Sequence, residues 1–340
     1  MKHNTSAALF VGAGLLLPKA CTGAADLGPW IPTAVNDQGV IVGNGFSPDS
    51  ETAGAVKYKN GVLTALTGLG DLGNEATGIA NNETAVGSSG WPPESRHAVY
   101  WDASGMVHDL GQLISGWETY ATAINNAGVI IGESIDEGML PHAWVFDPDV
   151  GALVELQSPN TLYPLVTSIN DRGDIVGCIR LRIPSPDGDV YELRAAKWDA
   201  GTNQVTPLPL PGPLPTPPNP PPCAQDINES GIIVGEAGGP VMWLPDNTVV
   251  PLPVGNHNRG TARAINDAGT IVGEACDMFS PVSCISTAAK WGLDRKFVEL
   301  APPPNLDQWP PDYEGSSSAV DINAAGVIVG RRGGIARRFE

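Results

Sequence analysis

Charge, histidine and aromatic residues are scarce in this 340-residue chain. Charged residues make up 16% of it and aromatics 6%, with 5 His and 5 Cys. A globular domain ordinarily carries about 25% charged residues. Positive charge is scarcest: 19 Lys and Arg stand against 37 Asp and Glu, a net charge of −18. Such a surface repels phosphate backbones and anionic bilayers, so nucleic acid is not an expected partner. Helical periodicity is hard to find after residue 25. No apolar run reaches the roughly 20 residues that span a bilayer. The G-x-S-x-G elbow, the H-E-x-x-H helix, the phosphate-binding glycine loop and the D-x-D-x-D-G calcium loop are all missing. No Cys or His spacing matches a structural zinc site. Neither a cofactor nor a metal is expected, and no residue qualifies as catalytic.

The longest apolar run is Ala7–Leu17, preceded by Lys2 and His3. It is too short to cross a membrane and suits the apolar stretch of an export signal. Residues 1–25 are therefore expected to be a signal peptide, cleaved among Ala20, Ala24 and Ala25. Cys21 follows Ala20 as in lipid-anchored proteins, but Pro18 and Lys19 sit badly for that processing. Four cysteines remain beyond the signal. Cys276 and Cys284 bracket one loop and are expected to pair, which leaves Cys178 with Cys223. Disulfides of this kind belong outside the cytosol, so the protein is expected to be secreted or at the cell surface, as a monomer.

What is abundant is glycine and proline, 41 and 32 residues, and they fall in register. A-I-N-D-A-G-T-I-V-G at Ala264–Gly273 recurs in seven varied copies, which we centre on Asn36, Asn81, Asn125, Asn170, Asn228, Asn266 and Asn323. The spacings are 45, 44, 45, 58, 38 and 57 residues. A period of about 40–50 residues signals a repeat architecture. Around Asn125 the unit reads as four short strands: Tyr120–Ile124, Val129–Ile135, His142–Phe146 and Ala152–Leu156. The Asn caps a turn through its side chain and the Gly three residues on supplies a left-handed conformation. The third strand closes on an aromatic in every copy: Tyr58, Trp101, Phe146, Trp198, Trp243, Trp291 and Phe339. Such a stripe packs one sheet against the next. The fourth strand occurs only six times, and Ala25-Asp26-Leu27-Gly28, ahead of the first unit, resembles His108–Gly111. The expected fold is all-β: a seven-bladed β-propeller of four-stranded antiparallel blades spanning residues 26–340 as a single domain, with the N-terminal strand completing the last blade.

The run Arg96–Leu113, R-H-A-V-Y-W-D-A-S-G-M-V-H-D-L-G-Q-L, followed by A-I-N-N-A-G-V-I-I-G, resembles the bacterial extracellular HAF repeat, named for a His-Ala-Phe triplet. The resemblance covers residues 26–340. It implies export and a propeller-like fold, and brings no settled activity and no catalytic residues. This chain departs from the pattern. Only His97 and His142 keep the histidine; Gly54, Arg194, Gly239, Thr287 and Ile335 replace it elsewhere, and the third letter is never Phe.

Where the copies differ is informative. With the first strand nearest the axis, the first-to-second and third-to-fourth connections share one face, and all are tight. Every long insertion falls on the other face: Ser88–Ser95, Ser134–Pro141, Cys178–Leu193, Ala275–Thr287, Pro209–Pro222 and Pro302–Ser318. Insertions confined to one face of a repeat scaffold mark its binding face. The candidate ligand-binding residues there are Trp91, Arg96, His97, Trp117, Tyr120, His142, Tyr163, Arg180, Trp309 and Tyr313. His97 and His142, at equivalent places in neighbouring blades, are candidates to approach each other. The expected function is a secreted module that binds a glycan or an extracellular protein. A polysaccharide hydrolase or lyase with carboxylates in the axial pocket, or a structural surface protein, are the alternatives.

Overall fold

The computed structural model describes residues 25–339 apart from 47–52, 71–72, 91–95, 115–117, 157–160, 185–187, 203, 214–220, 281–282, 301–315 and 334. It contains seven four-stranded antiparallel sheets. Blades 1 to 6 run in order along the chain: Trp30–Ala65, Asn74–Gly111, Thr119–Glu155, Thr161–Pro207, Cys223–Pro251 and Arg259–Glu299. Blade 7 takes three strands from Ser317–Phe339 and its fourth from Ala25–Gly28, which pairs antiparallel with Ile335–Phe339. The Asp26 carboxylate meets Arg337 at 2.7 Å beside that pairing. The fold and its closure by the N-terminal strand are as the repeats imply. The segment assigned to a signal peptide lies outside the described residues save for Ala25.

Each first strand carries a bulge two to three residues before its turn; in blade 4, for example, the register shifts between Val166 and Ser168. The bulged residue faces the next blade: Thr33, Thr77 and Thr167 donate through Oγ1 to the carbonyls of Ala76, Ala121 and Ala224, each at 2.9 Å. Beside the bulge the first strand crowds the second. A side chain at Gly177 or Gly273 would put its Cβ 1.9 or 2.0 Å from the carbonyl of Leu165 or Thr261. The glycine that ends each I-V-G is therefore a requirement of close approach.

The turn Asn36–Gly39 shows the expected mechanism, with Gly39 at φ 75° and its N–H bonded to the Asn36 carbonyl at 2.9 Å. Blade 2 needs a correction. Ala80, not Asn81, stands in the Asn place, because Ala80 accepts from the N–H of Glu83 at 3.0 Å. Glu83 holds the glycine's place at φ 66°.

The aromatic stripe is buried between blades. Trp291 packs on Ile232, Val234 and Met242 of blade 5, and Trp101 on Val40, Val42 and Leu66 of blade 1. Their indole N–H groups reach back to the Pro253 and Thr67 carbonyls at 2.6 and 2.7 Å. Truncating one such Trp costs about 3–5 kcal/mol. Two copies differ from expectation. In blade 3 the fully buried ring is Trp144, two residues before the half-buried Phe146. In blade 1 Tyr58 stacks on the buried Trp30 at 6.1 Å.

Candidate functional site

The two ends of the ring are built differently. At one end the first-to-second turns lie against the third-to-fourth connections: Gly128, Gly173 and Gly231 face Pro148, Ala200 and Pro245. At this end the axis opens into a cavity of about 210 Å³ lined by the turns of all seven blades. Six buried asparagines form a ring around it. Each Nδ2 donates to the carbonyl at the matching place in the next blade: Asn36 to Ala80, Asn125 to Asn170, Asn170 to Asn228, Asn228 to Asn266, Asn266 to Asn323 and Asn323 to Asn36, at 2.9–3.2 Å. Each Oδ1 accepts from the N–H four residues on within its own turn. The asparagines thus clamp turn to turn.

The next residue in each turn makes a second ring at the mouth. The N–H of Asp37 bonds Asn81, that of Asn81 bonds Asn126, that of Asn126 bonds Asp171, that of Asp171 bonds Glu229, that of Glu229 bonds Asp267, and that of Ala324 bonds Asp37. Deeper in the wall sit two further carboxylates. Asp226 accepts from Ser168 Oγ at 2.6 Å and from the Ile265 N–H at 2.8 Å; Asp321 accepts from the Val35 N–H at 2.7 Å. Burial pushes the Asp226 carboxyl up to about 7, against those hydrogen bonds and with Asp321 adding to the rise. Burial likewise raises Asp321. These carboxylates therefore gather at the tight-turn end of the axis. Each of these groups is also a structural acceptor for a neighbouring blade.

At the long-loop end the expected residues separate into groups. Trp91, Trp117, Trp309 and Tyr313 lie outside the described residues. Arg96 pairs with Glu75 at 3.2 Å and lies over the Tyr120 ring at 5.6 Å. His97 and His142 do not meet. His97 Nδ1 lies 2.9 Å from Asp109, and His142 Nδ1 lies 2.7 Å from Glu155 with Nε2 3.3 Å from Asp136. In both blades the carboxylate belongs to the same blade's fourth strand. Hydrogen bonding to Glu155 holds the His142 imidazole above its ordinary value, against partial burial and with help from Asp136. The two carboxylates of His142 sit on opposite ring nitrogens, and no cluster suited to a metal ion occurs among the described residues.

A third histidine belongs with these and its sequence context concealed it. His257, in the connection before blade 6, reaches Asp277 at 3.1 Å and Glu299 at 3.4 Å. Glu299 is the blade 6 counterpart of Glu155, and Thr287 holds the usual histidine position there. A linker residue thus replaces the missing imidazole in space.

Blades 4 and 6 carry the longest hairpins, and blade 4 also has the longest first strand. Its first three strands are nine residues each, against four to seven in blades 1, 2, 3, 5 and 7. Near their far ends Arg180 lies between two exposed rings, 5.7 Å from the Tyr163 centroid and 5.3 Å from that of Tyr191. Tyr163 and Arg180 are among the expected site residues; Tyr191 lies in the same expected insertion. Below them the Cys178–Cys223 disulfide ties blade 4 to blade 5 as expected. Cys276 is also disulfide-bonded, and the side chain of Cys284 lies outside the described residues.

No family model and no curated protein matches this chain. Solved structures do. The chain is similar to the β-propeller domain of the Trilobed protease from Pyrococcus furiosus, at TM-score 0.55 and 10% identity over 93% of this chain and 94% of that one. It is equally similar to virginiamycin B lyase from Staphylococcus aureus, at TM-score 0.55 and 10% identity over 92% and 95%. The WD40 repeats of RRP9 follow at TM-score 0.50 and 11% identity over 91% and 94%. These likenesses are of fold. The archaeal domain is described as having an open velcro topology, whereas here the first strand completes the last blade.

Proposed function

We propose that this chain is an exported binding module that takes a partner protein on its long-loop face. The observation that carries this reading is the stack of Tyr163, Arg180 and Tyr191, exposed at the ends of the longest strands of blade 4. Tyrosine and arginine are the residues most often found as energetic anchors of protein interfaces. Exposed Leu165 and Leu193 lie on the same face of the hairpin, and this mixed apolar setting matches an interface core. The apolar N-terminal run and the disulfide support export, and no helix among the described residues is long and apolar enough to cross a membrane.

A glycan is the second reading, favoured by the same rings, since a flat aromatic face also receives a sugar. Hydrolysis or elimination at the axis draws less support, because Asp226 and the rim carboxylates are already committed as acceptors between blades. The test is to probe the immobilised full chain with a displayed random peptide library and with a glycan array. Binders are expected that are lost in Tyr163→Ala/Tyr191→Ala and kept in Asp171→Ala at the axial mouth. The converse pattern would move the site to the tight-turn end.

A further inference from the structure

We propose that Arg180 is a seat for a single carboxylate, presented by an Asp, Glu or chain terminus of a partner polypeptide. This rests on the binding-module reading and names the group it grips.

Arg180 stands out by what it touches. Six of the twelve arginines, Arg96, Arg172, Arg182, Arg194, Arg263 and Arg337, pair with a carboxylate; Arg180 instead lies over two aromatic rings. On the blade 4 hairpin itself Arg182 is held by Asp189 at 2.6 Å and Arg194 is held by Glu192. Arg180, on the same face of its strand as Arg182, has no carboxylate among the described residues. Its partners are two rings. The two cation–π contacts hold the guanidinium and use none of the N–H groups of its fork on a carboxylate among the described residues. A guanidinium held this way matches a carboxylate with two parallel hydrogen bonds.

The holding is built at a cost. Tyr163 has φ 55° in the middle of a strand whose register slips between Leu162 and Leu165. A bulky side chain rarely adopts that conformation, and a bulge re-aims the side chain it carries. Here the displaced backbone brings the Tyr163 ring over Arg180. Two residues from Arg180, on the same side of its strand, Cys178 is fixed to Cys223 in the next blade. The pedestal is therefore tied to two blades.

The surroundings choose the occupant. Leu165 and Leu193, on the Arg180 face, are 37% and 41% exposed, so a ligand needs apolar groups flanking its charge. A polypeptide supplies them. A polyuronate brings a row of charges to a chain of net charge −18 and is repelled beyond the first contact.

Three probes test this on the full chain by NMR of the arginine Nε–H groups: Ac-Leu-Glu-Leu-NH2, its Gln analogue and tetragalacturonate. We expect a saturable shift of the Arg180 signal with the Glu peptide, at least about tenfold weaker binding of the Gln peptide, and loss of that difference in Arg180→Ala. Arg180→Lys, which keeps the charge without the fork, is expected to recover only part of it. Equal binding of the Glu and Gln peptides, lost in Tyr163→Ala/Tyr191→Ala, overturns the carboxylate seat and leaves the binding face standing. A shift with tetragalacturonate alone overturns the polypeptide occupant. Silence with all three overturns the seat, and the library screen above then decides separately whether the face binds anything. Melting curves of each variant confirm that it is folded.

Discussion

Asn125 shows how much of this fold rests on single side chains. Its Oδ1 takes the Val129 N–H at 2.9 Å and its Nδ2 gives to the Asn170 carbonyl at 3.0 Å, in a site only 4% exposed. Asn125→Ala leaves a buried N–H and a buried carbonyl without those partners, which costs about 1–3 kcal/mol. Blade 2 offers the reverse experiment. Ala80 sits in the same backbone place, so Ala80→Asn is expected to add the missing link to the Asn125 carbonyl and gain about 0.5–1.5 kcal/mol. Urea unfolding of both variants checks the pair; a destabilised Ala80→Asn would mean that the ring does not tolerate closure there. The turns themselves were legible because Asn and Gly repeat in register. The misplacement at Asn81 arose because two asparagines follow Ala80 and the glycine is replaced by Glu83. The clamp was not legible, since its bonds span 38 to 58 residues and the closing one 287. One trace of it was readable: the position after each turn Asn or Ala80 is Asp, Asn or Glu in six of seven blades.

Between strands, the same logic explains the histidines. Where a fourth strand carries a carboxylate at the place of Glu155, a basic group meets it: His97 at Asp109, His142 at Glu155, His257 at Glu299 and Arg337 at Asp26. Blades 4 and 5 have Pro207 and Pro251 in that place and no histidine opposite. The triplet histidine is thus a clasp between the third and fourth strands. His142 makes the clasp measurable. Its folded pKa lies above the ordinary 6.5, chiefly through its bond to Glu155. A raised folded pKa gives stability that is complete below the unfolded value and is lost as pH rises through the folded one. Unfolding free energy is therefore expected to fall on the alkaline side of about pH 6.5, and His142→Gln to flatten that fall. Urea titrations from about pH 5.5 to about pH 9 decide it; an unchanged slope in the variant would remove His142 from the clasp. The sequence placed His97 and His142 on one face and suggested that they meet, because equivalent positions look adjacent in a repeat. It could not place His257, whose partner strand lies 42 residues on.

At the scale of the molecule, seven blades close only because four residues at the front of the chain finish the last sheet. Ala25–Gly28 covers the edge of Ile335–Phe339, adds the Asp26–Arg337 pair, and supplies the Leu27 carbonyl that takes the buried Trp30 indole N–H at 3.0 Å. This closure was legible as an arithmetic deficit, six fourth strands for seven third strands, because equivalent repeats build equivalent four-stranded blades. It also limits where the proposed export signal could be cut: cleavage beyond Gly28 would destroy the blade, and cleavage at or before Ala24 would spare it. Chains beginning at residues 25 and 29 separate the two cases. The first is expected to melt with the full chain. The second loses a short ladder and an indole hydrogen bond, about 3 kcal/mol at roughly 1 kcal/mol per bond. It also exposes Ile335–Phe339 as a bare edge that recruits a second copy. Calorimetry should show the lower melting temperature, and sedimentation a concentration-dependent dimer. If the shorter chain remains monomeric and melts with the longer one, the stability of the ring lies in the asparagine clamp and the interblade aromatics alone, and the N-terminal strand is an ornament of blade 7.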